Sequence, residues 1–185
     1  MSDKLYKPIV LVFAGPNGSG KTTLTRNFPI IGTYVNADDL KAEYELNDIE
    51  AAEQAECLRN MLLDNNKDFS FETVLSTERN ILFLRKAKAQ GYEIQCVYVL
   101  TCNENINIAR VKARNAAGGH DVPVDKIRKR YHLCLTILPQ LVDLCDKILI
   151  YDNSDTPMLI FRKENDKVEL FPNELWPETA IRDLF

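Results

Sequence analysis

The chain has 185 residues, 45% of them apolar and 27% charged, with only 7 glycines and 8 prolines. This is the composition of a folded chain, which excludes disorder and low-complexity repeats, and the length fits one domain. The formal net charge of −4 argues against general nucleic-acid binding, and the longest apolar run, Ile9–Ala14, is far too short to span a membrane.

Pro8–Ala14 is rich in branched apolar residues and reads as a buried parallel strand, followed by a glycine loop. A helix from about Lys21 to Asn27 ends before Pro29, and Thr33–Val35 is a short second strand. Helices are predicted over Asp38–Glu45 and Asp48–Asn65, the second with a core stripe of Ile49, Ala52, Ala55, Leu58 and Leu62. Phe69–Leu75 is a strand, Arg79–Gln90 a helix closed by Gly91, and Glu93–Leu100 a strand. Glu104–Ala116 is a basic helix stopping at Gly118-Gly119, and Val124–Asp143 a long helix interrupted or bent near Pro139. Lys147–Tyr151 is a fifth core strand, and Pro157–Lys163 with Lys167–Phe171 form a hairpin around Asn165-Asp166.

Strands alternating with helices imply an α/β fold: a mostly parallel five-stranded sheet flanked by helices, plus a small C-terminal hairpin. Ligand is then expected at the carboxyl ends of the strands. One domain is expected, with a core over about 8–152, a lid over about 104–130, and hairpin and tail over 153–185. Cys57, Cys96, Cys102, Cys134 and Cys145 are odd in number and contain no C-x-x-C. Neither a disulfide framework nor a compact zinc site is expected, which places the protein in a reduced cytoplasm.

Gly15-Pro16-Asn17-Gly18-Ser19-Gly20-Lys21-Thr22 fits G-x-x-x-x-G-K-[ST] at every position, between a strand and a helix. Glycines let the backbone wrap phosphate oxygens, and the helix N-terminus adds positive potential. Lys21 is expected at the β- and γ-phosphates of ATP, the Thr22 hydroxyl on Mg²⁺, and Thr23 beside them. The fold is therefore that of a P-loop NTPase. The loop wording is shared with ABC-type ATPases, but no L-S-G-G-Q-like signature and no strand ending Asp-Glu is present. No N-K-x-D motif of a switch GTPase is present either. A small-molecule kinase fits best. A regulatory or ABC-like ATPase whose nucleotide state controls a protein partner remains the alternative.

Asp38 and Asp39 follow the second strand, where a carboxylate can face the γ-phosphate, accept a substrate proton or help hold Mg²⁺ through water. They can equally serve the start of the next helix. Glu72 lies in an apolar strand, a costly place for a carboxylate unless it is paired or used, and is a candidate substrate contact. From Arg110 to Arg130 there are seven basic residues against two acidic ones, whereas Asp38–Glu56 has eight acids and one lysine. Arg110 and Arg114 share a helical face and can close on a triphosphate as a lid. His120, beside the Gly118-Gly119 hinge, is a candidate phosphate or substrate contact. Lys112 reads as solvated, His132 as structural, and Trp176 as packing against the C-terminal segment.

The P-loop, V-N-A-D-D-L at Val35–Leu40, F-E-T at Phe71–Thr73 and a late R-x-x-x-R…G-G-H-x-V-P segment together resemble the zeta toxin family of P-loop kinases, over roughly Ile9 to Asp152. The resemblance implies transfer of phosphate from ATP with Mg²⁺ to a hydroxyl of a small molecule. In studied toxins that acceptor is a nucleotide sugar, UDP-N-acetylglucosamine, and an antitoxin protein is the implied partner. Carried over by position, Asp38 is the implied catalytic base, Arg110 and Arg114 the lid arginines, and Glu72, Thr73 and Glu56 acceptor contacts. One departure stands out. Thr73–Arg79 reads T-V-L-S-T-E-R where the well-known toxins carry a glycine-containing G-T-G-R.

Overall fold

The computed structural model describes residues 6–119 and 122–185. β1 (Ile9–Ala14) is apolar at every position, and all but its first residue are buried, as a strand covered on both faces must be. It pairs in parallel with β3 (Phe69–Thr73) on one side and β4 (Glu93–Leu100) on the other. β2 (Thr33–Val35) lies outside β3, and β5 (Lys147–Asp152) outside β4, both parallel. The hairpin of β6 (Met158–Glu164) and β7 (Lys167–Leu170) adds antiparallel strands to β5, giving the order β2-β3-β1-β4-β5-β6-β7. The five parallel strands and the hairpin are as expected, but they form one continuous sheet. Because β1 has a later strand on either side, the chain changes direction there, and the glycine loop leaves β1 at that switch point.

The sheet's two faces are unequally covered. On one, Val10, Val12, Phe69, Phe71, Ile94, Tyr98 and Ile148 join residues of α3 (Asp48–Asp64), α4 (Glu78–Ala89) and α6 (Val124–Leu144) in the main core. On the other, Leu11, Phe13, Val97 and Val99 meet Leu24 of the short α1 (Lys21–Thr25) and Phe28, Ile31 and Tyr34. A third, small cluster of Ile108, Val111, Val122 and Ile127 ties α5 (Glu104–Ala116) to α6. α6 runs unbroken through Pro139. Trp176 is buried in the main core, near the short α7 (Glu178–Arg182), which sequence periodicity did not show. Among the described residues no helix is long and apolar enough to cross a membrane.

Two expectations change. The core stripe of α3 is Ala51, Ala55, Leu62 and Leu63, whereas Ile49 and Ala52 are exposed. The helix is rotated so that a second stripe, Ala52, Glu56 and Arg59, lines a cavity instead. β3 ends at Thr73 and not at Leu75, because Leu75 takes a left-handed φ of 55° and its N–H turns back to Thr73 Oγ1 at 3.1 Å.

Candidate active site

The glycine loop is fixed from beneath by main-chain contacts. Gly15 has φ 142°, and a Cβ there would lie 2.0 Å from the Val99 carbonyl oxygen. Gly18 has φ 78°, and its Cβ would lie 2.4 Å from the Asn107 carbonyl oxygen. Only glycine fits such close approaches. Asn107 Nδ2 of α5 donates to Asn17 O at 2.7 Å, and Asn153 Nδ2, just beyond β5, donates to Ser19 O at 2.7 Å. Ser19 Oγ is buried without a partner among the described residues. Lys21 is buried, its Nζ donating to Pro16 O at 3.2 Å. Burial pushes the Lys21 ammonium below the ordinary lysine range, and Glu72 and Asp38 partly restore it.

Glu72 is drawn towards this loop by the sheet. β3 lies between β2 and β1 with Glu72 in register with Phe13, so its side chain leaves the strand on the α1 face. There Thr22 Oγ1 donates to Glu72 Oε1 at 3.0 Å, and the Tyr34 hydroxyl donates to Oε2 at 3.1 Å. Burial, then the Glu72 charge, raises the Tyr34 phenol well above its ordinary range.

α2 (Ala37–Tyr44) starts at an Asn36 N-cap, whose side chain accepts from Asp38 N at 3.0 Å. Asp38 and Asp39 both fall in its first turn, so neither is the cap. Asp38 lines the cavity and acts on Lys21, whereas Asp39 acts on Tyr34. The cavity, about 720 Å³, is lined by Lys21, Thr22, Asp38, Glu56, Glu72 and Thr73, with Arg110 and Arg114 also on its wall. Zeta toxin family sequence features match residues 2–166 of this chain. The chain belongs to the zeta toxin family.

A protein of Haemophilus influenzae described only as uncharacterised is 30% identical over 127 residues, spanning 65% of this chain and 91% of that protein. Among solved structures, a chain of the AvrRxo1-ORF1:AvrRxo1-ORF2 complex aligns with a TM-score of 0.75 at 13% identity, over 94% of this chain. This chain spans 64% of that one. A chain of the PezAT chromosomal toxin–antitoxin system of Streptococcus pneumoniae aligns with a TM-score of 0.61 at 20% identity, over 100% of this chain and 84% of that one. At such identities the alignments speak for the fold.

In this zeta toxin family member the side chains named from sequence differ in what already holds them. Glu56 accepts from Arg79 Nε at 3.0 Å and forms an ion pair with the same guanidinium. Thr73 Oγ1 accepts from Asn80 Nδ2 at 2.8 Å as well as from Leu75 N. Arg110 donates to Asn153 O at 2.7 Å and Ser154 O at 3.0 Å, which ties α5 to the end of β5. Arg114 is exposed, and its charge depresses Lys21. His120 lies outside the described residues. His132 is exposed and pairs with Glu104 at 2.7 Å.

Sequence reasoning missed Asn107 and Asn153, which brace the loop, and Arg130, whose Nη1 donates to Asn17 Oδ1 at 3.0 Å across the cavity wall. Arg130 was visible only as one charge in a basic segment. It also missed Arg59, whose sole signal was a cation between the apolar residues Leu58 and Leu62.

The site fits a nucleotide triphosphate by its own geometry: a loop a Cβ would fill, an orphaned buried hydroxyl and a buried ammonium. Thr22 and Glu72 are hard oxygen donors held side by side, which suits Mg²⁺. Among the described residues no cluster of three or more His, Cys, Asp or Glu could hold an ion unaided. Mg²⁺ would therefore be completed by the nucleotide's phosphates and water.

Proposed function

We propose that this chain is an ATP-dependent kinase that phosphorylates a hydroxyl group of a small metabolite, with UDP-N-acetylglucosamine as the first acceptor to test. The observation that carries this reading is the convergence on one cavity of a phosphate loop and two carboxylates from other elements, Asp38 and Glu72. The structural neighbourhood supports it: one AvrRxo1-ORF1:AvrRxo1-ORF2 structure, with a TM-score of 0.71 at 12% identity, is described as containing ATP.

The chain's own residues divide the work. Gly15, Pro16, Asn17, Gly18, Ser19, Gly20 and Thr23 shape the phosphate cradle, and Lys21 offsets the charge of the β- and γ-phosphates. Thr22, with Glu72 behind it, would hold Mg²⁺, which when bound would draw charge from the transferring phosphoryl group. Asp38, at the cavity edge, accepts the acceptor hydroxyl's proton. Arg114 faces the charge that develops during transfer. Glu56, Glu72, Thr73 and His120 orient the acceptor. An antitoxin protein is a fitting partner, since PezAT is described as a toxin–antitoxin system.

The test is incubation of labelled ATP with a metabolite library, read by mass spectrometry. Label should appear in a small-molecule phosphate, and Lys21→Ala should lower that signal by on the order of 10²–10³-fold while the protein stays folded. Acceptor-independent hydrolysis of ATP as the sole activity would favour a regulatory ATPase instead.

A further inference from the structure

The carboxylate of Glu72 has two oxygens and two claims on it. Thr22 Oγ1 lies 3.0 Å from Oε1 and 3.4 Å from Oε2, so by itself the threonine can give its proton to either. The last torsion of a glutamate is broad and leaves the direction of the group open. Tyr34 decides it, because its hydroxyl donates to Oε2 at 3.1 Å. A carboxylate only accepts, so Tyr34 and Thr22 are both donors here. The Thr22 oxygen, its proton turned to Glu72, keeps its lone pairs for a cation.

The placement of Tyr34 is built into the sheet. β2 is an edge strand of three residues, with little pairing of its own to fix its register. Ser70 of β3 holds it, its Oγ donating to Ile31 O at 2.8 Å and accepting from Ile31 N at 2.9 Å. Thr33 N adds a bond to Asp68 O at 3.2 Å. Tyr34 is thereby in register with Ser70, two residues before Glu72 on the same face of β3. Its ring meets Phe13 edge-on, with centroids 6.4 Å apart, and Phe13 is itself in register with Glu72. Thr22, Asn36 and Glu72 line the cavity, and Tyr34 does not, so it acts through Glu72. On its other side the Tyr34 hydroxyl accepts from Asn36 Nδ2 at 3.4 Å, and Asn36 caps the helix that carries Asp38.

We propose that Tyr34 is a positioning residue: it holds Glu72 in the orientation that leaves Thr22 ready to ligate Mg²⁺, and through Asn36 it joins that site to the turn carrying Asp38. This role rests on the Mg²⁺–nucleotide part of the reading above and is independent of the acceptor. Phenylalanine at this position keeps the ring and its packing on Phe13 and removes only the donor. Glu72 is then free to turn, Thr22 divides its hydrogen bond between two oxygens, and its lone pairs lose their fixed direction. A tyrosine that merely satisfies its own hydroxyl on a convenient carboxylate would instead affect every ligand state alike.

The test measures binding, not turnover. The affinity of the full chain for a non-hydrolysable ATP analogue is measured by calorimetry in Mg²⁺ and again in excess chelator, and the ratio is the gain due to the cation. Tyr34→Phe should cut that gain by about tenfold, as loss of a partner behind a metal ligand does, and leave the affinity in chelator at the wild-type level. In a Glu72→Ala background, Tyr34→Phe should cost nothing more, because the group it positions is gone. The positioning role is overturned if Tyr34→Phe keeps the full gain, if it weakens binding equally with and without Mg²⁺, or if its effect survives in Glu72→Ala. A wild-type chain that gains nothing from Mg²⁺ would overturn both this role and the metal reading beneath it. A Tyr34-dependent gain without phosphoryl transfer to any metabolite would overturn the kinase reading and leave the positioning role standing.

Discussion

At the phosphate end of the cavity the chain holds its shape with main-chain atoms and two buried asparagine side chains. Gly15 and Gly18 press against the carbonyls of Val99 and Asn107, and Asn107 and Asn153 hold the loop's own carbonyls. Away from the loop, the groups that would meet an acceptor are side chains holding one another, Glu56 with Arg79 and Arg59 with Asn80, while Glu72 reaches back to Thr22 of the loop. The first end is built before any ligand arrives, and its order costs the ligand little. The second must exchange internal pairs for ligand pairs, so on the proposed reading its order costs a ligand more. The T-V-L-S-T-E-R departure at Thr73–Arg79 falls in that second end, where Thr73 Oγ1 caps the turn at Leu75 and Arg79 closes on Glu56.

Asp38 lines the same cavity, and on the proposed reading its removal should have the largest effect. Asp38→Asn keeps the shape and removes the proton acceptor, so turnover should fall by roughly 10²–10⁴-fold with ATP binding retained. Asp39→Asn should change turnover little, because Asp38 and not Asp39 lines the cavity. Steady-state kinetics on both variants, with ATP affinity from calorimetry, check this. A large defect confined to Asp39→Asn would reverse the assignment, and equal large defects would point to a shared water network on Mg²⁺.

The comparison explains why some of the molecule was legible in the sequence. The P-loop is eight consecutive residues whose backbone geometry is set by their own glycines, so its position and fold context could be read directly. Five parallel strands followed from apolar runs and turn residues, and Glu72 from its cost in an apolar strand. The acceptor end was legible only in pieces. Arg59, Arg79 and Glu72 come from α3, α4 and β3, and their meeting depends on the rotation of α3 and on the register of β3 beside β1. The α3 stripe was misread for the same reason. Ala52, Glu56 and Arg59 form a helical face turned to a cavity, and periodicity cannot tell a cavity wall from a core.

A smaller effect should divide Arg110 from Arg114. Arg110 is bound to the carbonyls of Asn153 and Ser154, and Asn153 in turn holds the P-loop. Arg110→Ala should therefore lower stability, by about 1–3 kcal/mol, and loosen ATP binding along with turnover. Arg114→Ala, at an exposed position, should lower the melting temperature less than Arg110→Ala does and reduce turnover by on the order of 10²-fold, with ATP affinity nearly intact. Thermal denaturation beside kinetics on each variant separates the two, and identical behaviour would deny the division of roles.

The smallest expected effect is in the pH dependence of the phosphate end, and it tests whether that end is built in advance. Burial lowers Lys21 from the ordinary 10.5, with Glu72 and Asp38 opposing the shift and Arg114 adding to it. Between the lowered folded value and the unfolded one, the unfolded chain binds more protons, so stability without nucleotide should rise with pH across that window. This contribution is fully present above the unfolded value and lost as pH falls through the folded one. Bound phosphates reverse the preference, since they favour the ammonium. ATP binding should then take up a proton in the same window, and affinity should weaken a few-fold as pH rises through it. Titration calorimetry in two buffers of different ionisation enthalpy measures the proton directly. Lys21→Arg supplies the control, because a guanidinium keeps its charge throughout and its ATP affinity should stay level. Wild-type binding that takes up no proton at any alkaline pH would mean that Lys21 leaves its buried position before the nucleotide arrives, and that the phosphate end adapts to its ligand as the acceptor end does.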